Sequence, residues 1–376
     1  AASDVYKRQD QDEFEALQVE DAGGKYVIPG LIDAHIHIES SMLTPSEFNR
    51  IILPHGVTSI VTDPHEIANV SGSVGLRFMI DDAKNAEMDI YYMLPSSVPG
   101  TSFENAGAIL KAEDLAAFVD EPSILGLAEV MDYPAVLNGD PDMLAKLELA
   151  QKHGMMIDGH GAGLNAGQIR GYRAAGIETD HECVTAEEAR NRVEQGMYVL
   201  IREGSAAKNL KALLPAVTNA NARRFAFCTD DKHLDELMEQ GSINYAVAMA
   251  MEQGMDPLVA IQIGSLNAAE CYGLKGKGAL AAGYEADFVL LEDLDTMQAG
   301  AVWKAGKMVA RDGQMLNKKA ACVKPVAAIL NSVNIPSLSA AELAIPFKQS
   351  NKANVIEIMP NQITTKKLVC EVPVEA

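Results

Sequence analysis

The sequence predicts an α/β protein, a (β/α)8 TIM-like barrel with a small β appendage and a partial C-terminal extension. Three observations support this fold class. Short apolar runs recur along the chain, segments with helical spacing separate them, and glycine turns with short β-rich runs follow at residues 278–314. Continuous apolar runs are typical of strands that are buried on both faces. Strands that alternate with helices in this way favour a parallel barrel.

The predicted barrel strands are apolar runs that each end in a polar cluster. They are residues 26–33, 57–63, 90–95, 124–130, 155–160, 177–181, 197–203 and 224–230. The predicted helices are residues 143–154, 186–196 and 206–217, with a further helical stretch over 233–270. Gly154, Gly176 and Gly196 follow helical runs, where a left-handed residue commonly ends a helix. His55 and His153 also precede glycines, which predicts positions at helix C-termini.

Composition limits the kind of partner that this chain can have. The 376 residues carry a net charge of -21, which disfavours nucleic acid and anionic membranes because both are polyanions. The five cysteines are scattered and form no C-x-x-C, so we expect reduced thiols and a cytoplasmic protein. Cys183 and Cys228 are expected to be packing residues. Because no run of about 18 apolar residues occurs, no membrane span is expected.

The ends of the predicted strands carry the chemistry. His35 and His37 are two residues apart in the first strand, so their imidazoles point to the same face. Barrel enzymes place their reactive groups at the C-terminal ends of strands. The candidate metal ligands at these ends are His35, His37, Glu129, His160, His181 and Asp230.

Six ligands of this kind suit two divalent ions that share a bridging carboxylate. Such pairs lie about 3.5–4 Å apart and activate water for hydrolysis. The mixture of nitrogen and oxygen donors fits Mn²⁺, Fe²⁺ or Zn²⁺ and needs no thiolate. Asp33 is expected to support the ligands instead of joining them. Structural polar caps at the strand ends are the alternative interpretation.

Other polar residues close to the strand ends are candidates for substrate contact or for support of the ligands. Each could instead be an ordinary loop residue or face solvent. A carboxylate beside a ligand histidine can orient its imidazole through a hydrogen bond. The candidates are His65, Ser96, Ser97, Glu182, Arg202, Glu203, Ser205, Asp231 and His233.

The run "VIPGLIDAHIH" resembles the metal motif of the amidohydrolase superfamily. Downstream, "PHGVTSIVTDPHEIANV", "LGLAEVMDYPAVLNGD", "TDHECVT", "LIREGSAAKNL" and "FCTDDKHLDEL" extend the resemblance, in unbroken order over residues 25–315, to the bacterial adenine deaminase family. Related hydantoinases and dihydroorotases commonly bridge their metals with a carboxylated lysine. Here "LGLAEVMDY" contains no lysine, and Glu129 occupies that position.

The resemblance implies hydrolytic deamination of adenine to hypoxanthine and ammonia, as in purine salvage and adenine catabolism. It implies two divalent ions, usually manganese or iron, and attack at C6 by a hydroxide that bridges them. A carboxylate near the attacking oxygen can carry protons to ring N1 and to the departing amine. Glu129 and Asp230 are both candidates for this role. The candidates for reading the purine edge are Arg202, Glu203, Ser205, Ser96 and Ser97, each of which could instead be a loop residue.

The resemblance also suggests a chain that is shortened at both ends. We predict a remnant of an N-terminal β appendage at 1–24, the barrel at 25–275, a small β domain at 276–317 and the start of a C-terminal domain at 318–376. A homodimer is expected. The competing hypotheses are a related amidohydrolase that acts on another cyclic amide or amidine, and a non-catalytic barrel that serves as a scaffold.

Overall fold

The fold is described from a computed structural model of the chain. The structure describes residues 19–317, 323–330, 332, 334–345 and 351–372. Most of the predicted N-terminal remnant, and residues 318–322 at the start of the predicted C-terminal domain, lie outside the described residues. None of the helices in the described ranges is both long and apolar enough to cross a membrane.

The strands are β1 (Tyr26–Pro29), β2 (Leu31–Ile36), β3 (Val57–Thr62), β4 (Asp89–Leu94), β5 (Ile124–Val130), β6 (Met156–Gly159), β7 (Thr179–Asp180), β8 (Tyr198–Arg202), β9 (Phe225–Cys228), β10 (Phe288–Leu291), β11 (Ala299–Lys304), β12 (Lys307–Arg311), β13 (Gln314–Met315), β14 (Lys352–Ile358) and β15 (Thr365–Glu371).

The α-helices are α1 (Pro45–Ile52), α2 (His65–Ala83), α3 (Ala112–Leu115), α4 (Tyr133–Asn138), α5 (Pro141–Lys152), α6 (Ala166–Ala174), α7 (Ala186–Glu194), α8 (Leu210–Leu213), α9 (Leu234–Gln240), α10 (Ile243–Glu252), α11 (Pro257–Ile263) and α12 (Leu266–Cys271). Short 3-10 helices cover Ile38–Ser41, Leu53–His55, Leu214–Ala216, Ala222–Arg224, Ala327–Ile329 and Ala340–Leu343.

The parallel strands β2 to β9 form the predicted barrel in sequence order. Strands β2 to β6 are hydrogen-bonded neighbours, and β7, β8 and β9 form a second set. Glu178 N donates to Ile157 O at 2.9 Å, which joins the two sets between β6 and β7. The ring closes between its first and last strands, where Asp230 N donates to His35 O at 2.9 Å and Ile36 bridges to Asp230. The α/β barrel prediction is therefore confirmed.

The first predicted strand, residues 26–33, is in fact two strands that belong to different sheets. Tyr26–Pro29 pairs antiparallel with Phe288–Leu291, and the barrel strand begins only at Leu31. The chain turns at Gly30, whose missing Cβ would lie 2.1 Å from Thr58 Oγ1. The predicted barrel boundary at residue 25 is therefore too early, because apolar sequence marks burial without telling which sheet buries it.

Three further predictions need correction in detail. The sixth barrel strand is only Thr179–Asp180, much shorter than the predicted 177–181. The helical stretch 233–270 is four separate helices, α9 to α12, because Gly241, Pro257 and Gly264 lie at the breaks between them. The helix predicted at 206–217 contains only α8 and a short 3-10 turn.

The small sheet has the order β1-β10-β11-β12-β13 and is attached to the barrel by buried ion pairs. Lys277 is 4% exposed, and its Nζ lies 3.0 Å from Asp287 Oδ2 and also contacts Asp89 at the start of β4. Lys304 of β11 lies 2.9 Å from the same oxygen of Asp287. Beyond this sheet, β14 and β15 form a hairpin, and most of its side chains are exposed.

Candidate metal centre

The barrel fold brings all six predicted ligands together at one end of the strands. His35 lies near the end of β2 and His37 directly after it, while Glu129 lies in β5. His160, His181 and Asp230 follow β6, β7 and β9. The rings of His35 and His181 stack at 4.1 Å between centroids, and those of His35 and His37 meet edge to face at 4.9 Å. Side chains from five different strands therefore share one small volume.

The carboxylate of Glu129 lies at the centre of this group. Its Oε2 is 2.6 Å from His160 Nδ1 and 3.0 Å from His181 Nε2. Its Oε1 is 3.5 Å from His37 Nε2 and 3.3 Å from His65 Nδ1. Each oxygen of one buried carboxylate thus faces a different pair of imidazoles, which is the arrangement a bridging ligand needs.

The carboxylate of Asp230 is held on one side and open to the histidines on the other. Its Oδ2 accepts a hydrogen bond from Arg202 Nη1 at 2.9 Å. Its Oδ1 lies 3.1 Å from His37 Nε2 and 3.5 Å from His35 Nε2. The backbone of Asp230 is left-handed, with a φ of 57°, a conformation that aspartate tolerates better than most residues. One oxygen of Asp230 therefore binds Arg202, and the other faces the two histidines.

Charge balance in the cluster favours ionised carboxylates beside the imidazoles. Burial opposes ionisation of Glu129, but the neighbouring His160 and His181 outweigh it and hold the pKa of Glu129 well below its usual value. Burial likewise opposes ionisation of Asp230, and contacts with His35 and His37 hold its pKa well below normal. Both groups are therefore anionic at neutral pH and able to bind cations.

The buried imidazoles provide the test of whether this site fits metal ions. Both ring nitrogens of His35, and both of His181, are buried and make no well-aligned hydrogen bond in the described part of the chain, even though His181 Nε2 lies only 3.0 Å from Glu129 Oε2. A buried polar atom without a partner is costly, so its position calls for a ligand. Two overlapping groups of residues each offer three donor atoms that lie within 4.8 Å of one another. One group is His35, His37 and Asp230, and the other is His35, Glu129 and His181. Nitrogen and oxygen donors in these groups fit divalent transition metals.

Comparison with known proteins agrees with this geometry. The profile of the amidohydrolase family matches residues 26–309. The chain belongs to the amidohydrolase family. The β-aspartyl dipeptidase of Fervidobacterium islandicum superposes with a TM-score of 0.58 at 17% identity, over 80% of this chain and 88% of that chain, which supports the fold.

Curated relatives of this amidohydrolase are named adenine deaminase. The protein of Lysinibacillus sphaericus is 63% identical over 362 residues, which cover 96% of this chain and 62% of that protein. The protein of Geobacillus kaustophilus is 53% identical over 363 residues, covering 96% of this chain and 63% of its own length. The chain thus spans less than two thirds of the relatives that it matches.

Arg202 and Glu182 contact the predicted ligands. Arg202 is fully buried, and its guanidinium contacts Glu182 as well as Asp230. Glu182 Oε1 in turn lies 3.4 Å from His181 Nε2. The sequence suggested that Arg202 could read the purine edge; in the structure its guanidinium is engaged with two buried carboxylates. Asp33 is also a supporting residue, since it accepts hydrogen bonds from Thr229 and Ser242.

The predicted serines are mostly engaged with protein groups. Ser96 Oγ donates to Glu129 O at 2.5 Å and lies 3.0 Å from Ser97 Oγ, so this pair fixes the end of β5. Ser205 Oγ donates to Glu236 Oε2 at 2.5 Å and is part-buried. The hydroxyl protons of Ser96 and Ser205 are thus already donated to protein oxygens, which leaves these groups fewer hydrogen bonds to offer a purine.

The remaining candidates lie around the rim or at helix ends. Ser40 Oγ donates to Asp231, and His233 is exposed at the start of α9. Glu203 is buried and accepts from Leu210 N. His55 ends a 3-10 helix, and His153 Nδ1 contacts Leu149 O at 2.9 Å at the end of α5, as expected for helix C-termini.

Sequence reasoning missed three carboxyl groups beside the ligands, which we name the acidic pocket: Glu39, Asp63 and Glu66. His65 connects two of them to the cluster, because its Nδ1 lies 2.9 Å from Asp63 Oδ2 and its Nε2 lies 3.6 Å from Glu66 Oε1. Burial and the nearby Glu66 raise the pKa of Glu39 to about 8. The i, i+2 spacing of Asp63 and His65 just after β3 repeats the spacing of His35 and His37 at the end of β2, and this signal could have revealed these acids.

Proposed function

We propose that this chain contains the catalytic barrel of an adenine deaminase, which hydrolyses adenine to hypoxanthine and ammonia with two divalent metal ions. One observation carries the proposal: each oxygen of Glu129 faces a pair of imidazoles, and these imidazoles come from the ends of four other barrel strands. The names of the relatives supply the substrate, and the family supplies hydrolysis at a carbon–nitrogen bond.

The proposed ligands form two sets that share the carboxylate of Glu129. His35, His37 and Asp230 would hold one ion, and His160 and His181 would hold the other, with Glu129 bridging. The donor types favour Mn²⁺, with Fe²⁺ or Zn²⁺ as alternatives. When bound, such ions acidify water and polarise the carbon that it attacks.

The reaction needs two proton transfers that protein groups must manage. Water adds its oxygen to C6, one of its protons ends on ring N1, and the other ends on the amine, which leaves as ammonia with the electron pair of the broken C6–N6 bond. Asp230 Oδ1 is the proposed proton carrier, because its Oδ2 is occupied by Arg202. Glu129 has imidazoles on both oxygens, so it is assigned the bridging role instead.

Ammonia release from adenine by the metal-loaded protein tests this proposal. Guanine, cytosine and hydantoin serve as alternative substrates, and Asp230→Asn is the matched variant because it keeps the shape of the side chain. We expect activity on adenine, and a loss of about 100-fold or more in kcat for the variant. A protein that holds two ions per chain and is inert toward adenine would defeat the proposal. Activity on hydantoin instead would indicate another cyclic amide as substrate.

We further propose a cytoplasmic homodimer that acts in purine salvage. The described cysteines, Cys183, Cys228, Cys271 and Cys370, are free thiols, which suits a reducing compartment. The size of the particle in solution, measured by light scattering, tests the dimer. Metal analysis after growth with added manganese tests the identity of the ion.

A further inference from the structure

We propose that Tyr172 is a positioning residue of the metal centre, because its hydroxyl joins the strand that carries Glu129 to His160 and so fixes the distance between these two ligands. This inference rests on the proposed function, since it takes Glu129 and His160 as metal ligands. Tyr172 lies in α6 and is 0% exposed, and neither the ligand set nor the proposed proton transfers use it.

The hydroxyl of Tyr172 lies between backbone groups of two neighbouring strands. His160 N donates to Tyr172 Oη at 2.9 Å, and Oη donates to Val130 O at 2.6 Å. Val130 directly follows Glu129 at the end of β5, and His160 directly follows β6. A single hydroxyl therefore connects the ends of both strands, right beside both ligands.

The pairing of β5 with β6 is irregular at this point. The pairs on either side of the irregularity are Leu127 with Ile157 and Val130 with Gly159. Between these pairs β5 has two residues and β6 has one, and Glu129 is one of the two. An extra residue of this kind bends a strand and redirects a side chain, and it interrupts the backbone hydrogen bonds. The hydroxyl of Tyr172 thus supplies a link where the regular pairing is interrupted.

His160 is the proposed ligand whose position depends most on such a link. Its side chain is 24% exposed, whereas the side chains of His181 and Glu129 are 1% and 3% exposed, so packing restrains His160 least. Its Nδ1 nevertheless lies 2.6 Å from Glu129 Oε2. Groups that orient metal ligands commonly change metal affinity or activity by about 10–100-fold when they are removed.

Loss of the hydroxyl removes a hydrogen-bond partner from the amide of His160 and from the carbonyl of Val130. Unpaired backbone groups in the interior are costly, so the ends of β5 and β6 should shift until these groups find other partners. Such a shift changes the distance between Glu129 and His160. The ion that His160 and His181 are proposed to hold should therefore bind more weakly.

Manganese titration of Tyr172→Phe tests this inference without the use of adenine. Phenylalanine keeps the ring and removes only the hydroxyl. The metal is first removed with a chelator, and free Mn²⁺ is then measured by electron paramagnetic resonance as manganese is added. We expect the affinity for one ion to stay within about threefold of that of the unchanged protein, and the affinity for the other to fall by about tenfold or more. His160→Asn, which removes the ligand itself, identifies the binding phase that belongs to the affected ion.

Tyr92→Phe is the matched control for the loss of a buried hydroxyl. Tyr92 lies in β4, is also 0% exposed, and its Oη donates to Met79 O at 2.8 Å. Both tyrosine variants should have a lower melting temperature, because each loses a buried hydrogen bond. Only Tyr172→Phe should bind an ion more weakly, and this difference separates positioning of the ligands from general stability.

Two results would overturn the inference. One is that Tyr172→Phe binds both ions as tightly as the unchanged protein, and the other is that Tyr92→Phe weakens the same ion as much. If the unchanged protein binds two ions and is inert toward adenine, the proposed function fails, while the titration still decides the role of Tyr172. If it binds one ion, the two-ion proposal fails, and the inference then requires that Tyr172→Phe weaken that ion and that Tyr92→Phe leave it unchanged. A protein that binds no manganese would reject both.

Discussion

Replacement of Arg202 by methionine removes the cation that separates two buried carboxylates. Arg202 is 0% exposed and contacts Glu182 and Asp230, which are 3% and 6% exposed. Methionine fills a similar volume but leaves both carboxylates without their partner. The guanidinium of Arg202 also donates hydrogen bonds to Asn209 Oδ1, at 3.1 and 3.3 Å, and the substitution removes these as well.

The size of the effect follows from this burial. Breaking a buried ion pair by removing one partner costs about 3–5 kcal/mol, because an uncompensated charge stays in the interior. We therefore expect the free energy of unfolding to fall by about that amount in protein treated with a chelator. Divalent ions would supply positive charge to the same carboxylates, so saturating Mn²⁺ should recover part of the loss.

Urea denaturation of both proteins, with chelator and with manganese, measures these differences. Arg223→Met is the control, because the Arg223–Glu270 pair is exposed at 65% and 37% and should contribute less than about 1 kcal/mol. A loss below about 1 kcal/mol for Arg202→Met, or a loss that manganese enlarges, would refute the reasoning.

Three further predictions concern metal binding, pH and packing. Manganese at about 100 times its dissociation constant should stabilise the protein by about 2.7 kcal/mol per site in thermal denaturation, and His35→Asn should lose much of this; an equal gain would contradict the ligand assignment. Burial raises the pKa of Asp158 to about 7. The folded chain thus keeps a proton that the unfolded chain releases, so stability should fall by at most about 1.4 kcal/mol per unit as pH rises from about 4 to 7, and Asp158→Asn should flatten this slope in urea titrations. A Cβ at Gly126 would lie 2.1 Å from the backbone oxygen of Met156, so Gly126→Ala should cost about 1–3 kcal/mol in urea denaturation. Gly167→Ala should cost less, because its Cβ would approach only side chains, Asn165 Oδ1 at 3.2 Å and Arg170 at 3.8 Å; equal effects would contradict the packing argument.

The barrel could be predicted because its signal is local. Each strand is a short apolar run, and each run ends in polar residues that the fold places at one rim. The pairing of Tyr26–Pro29 with Phe288–Leu291 could not be predicted in the same way, since it depends on a contact between the two ends of the barrel sequence. An apolar run reports that a segment is buried, and the turn at Gly30 decides which sheet it joins.

The part of the candidate site that lies at the strand ends could be predicted from the sequence. The six ligand candidates meet because each follows or ends a strand, and strand ends share a rim. The acidic pocket was missed because Glu66 lies in the first turn of α2, where an acid is common at the positive end of a helix. Burial changes that interpretation, and burial of an individual acid is invisible in a single sequence.

The closing seam of the barrel has a consequence for how the protein matures. Asp230 contributes a proposed ligand and also the backbone amide that joins β9 to β2. During folding, the protein should therefore gain affinity for cations late, only after β2 and β9 have paired. In a refolding experiment, binding of manganese should therefore follow the return of secondary structure and report the rate at which the barrel closes.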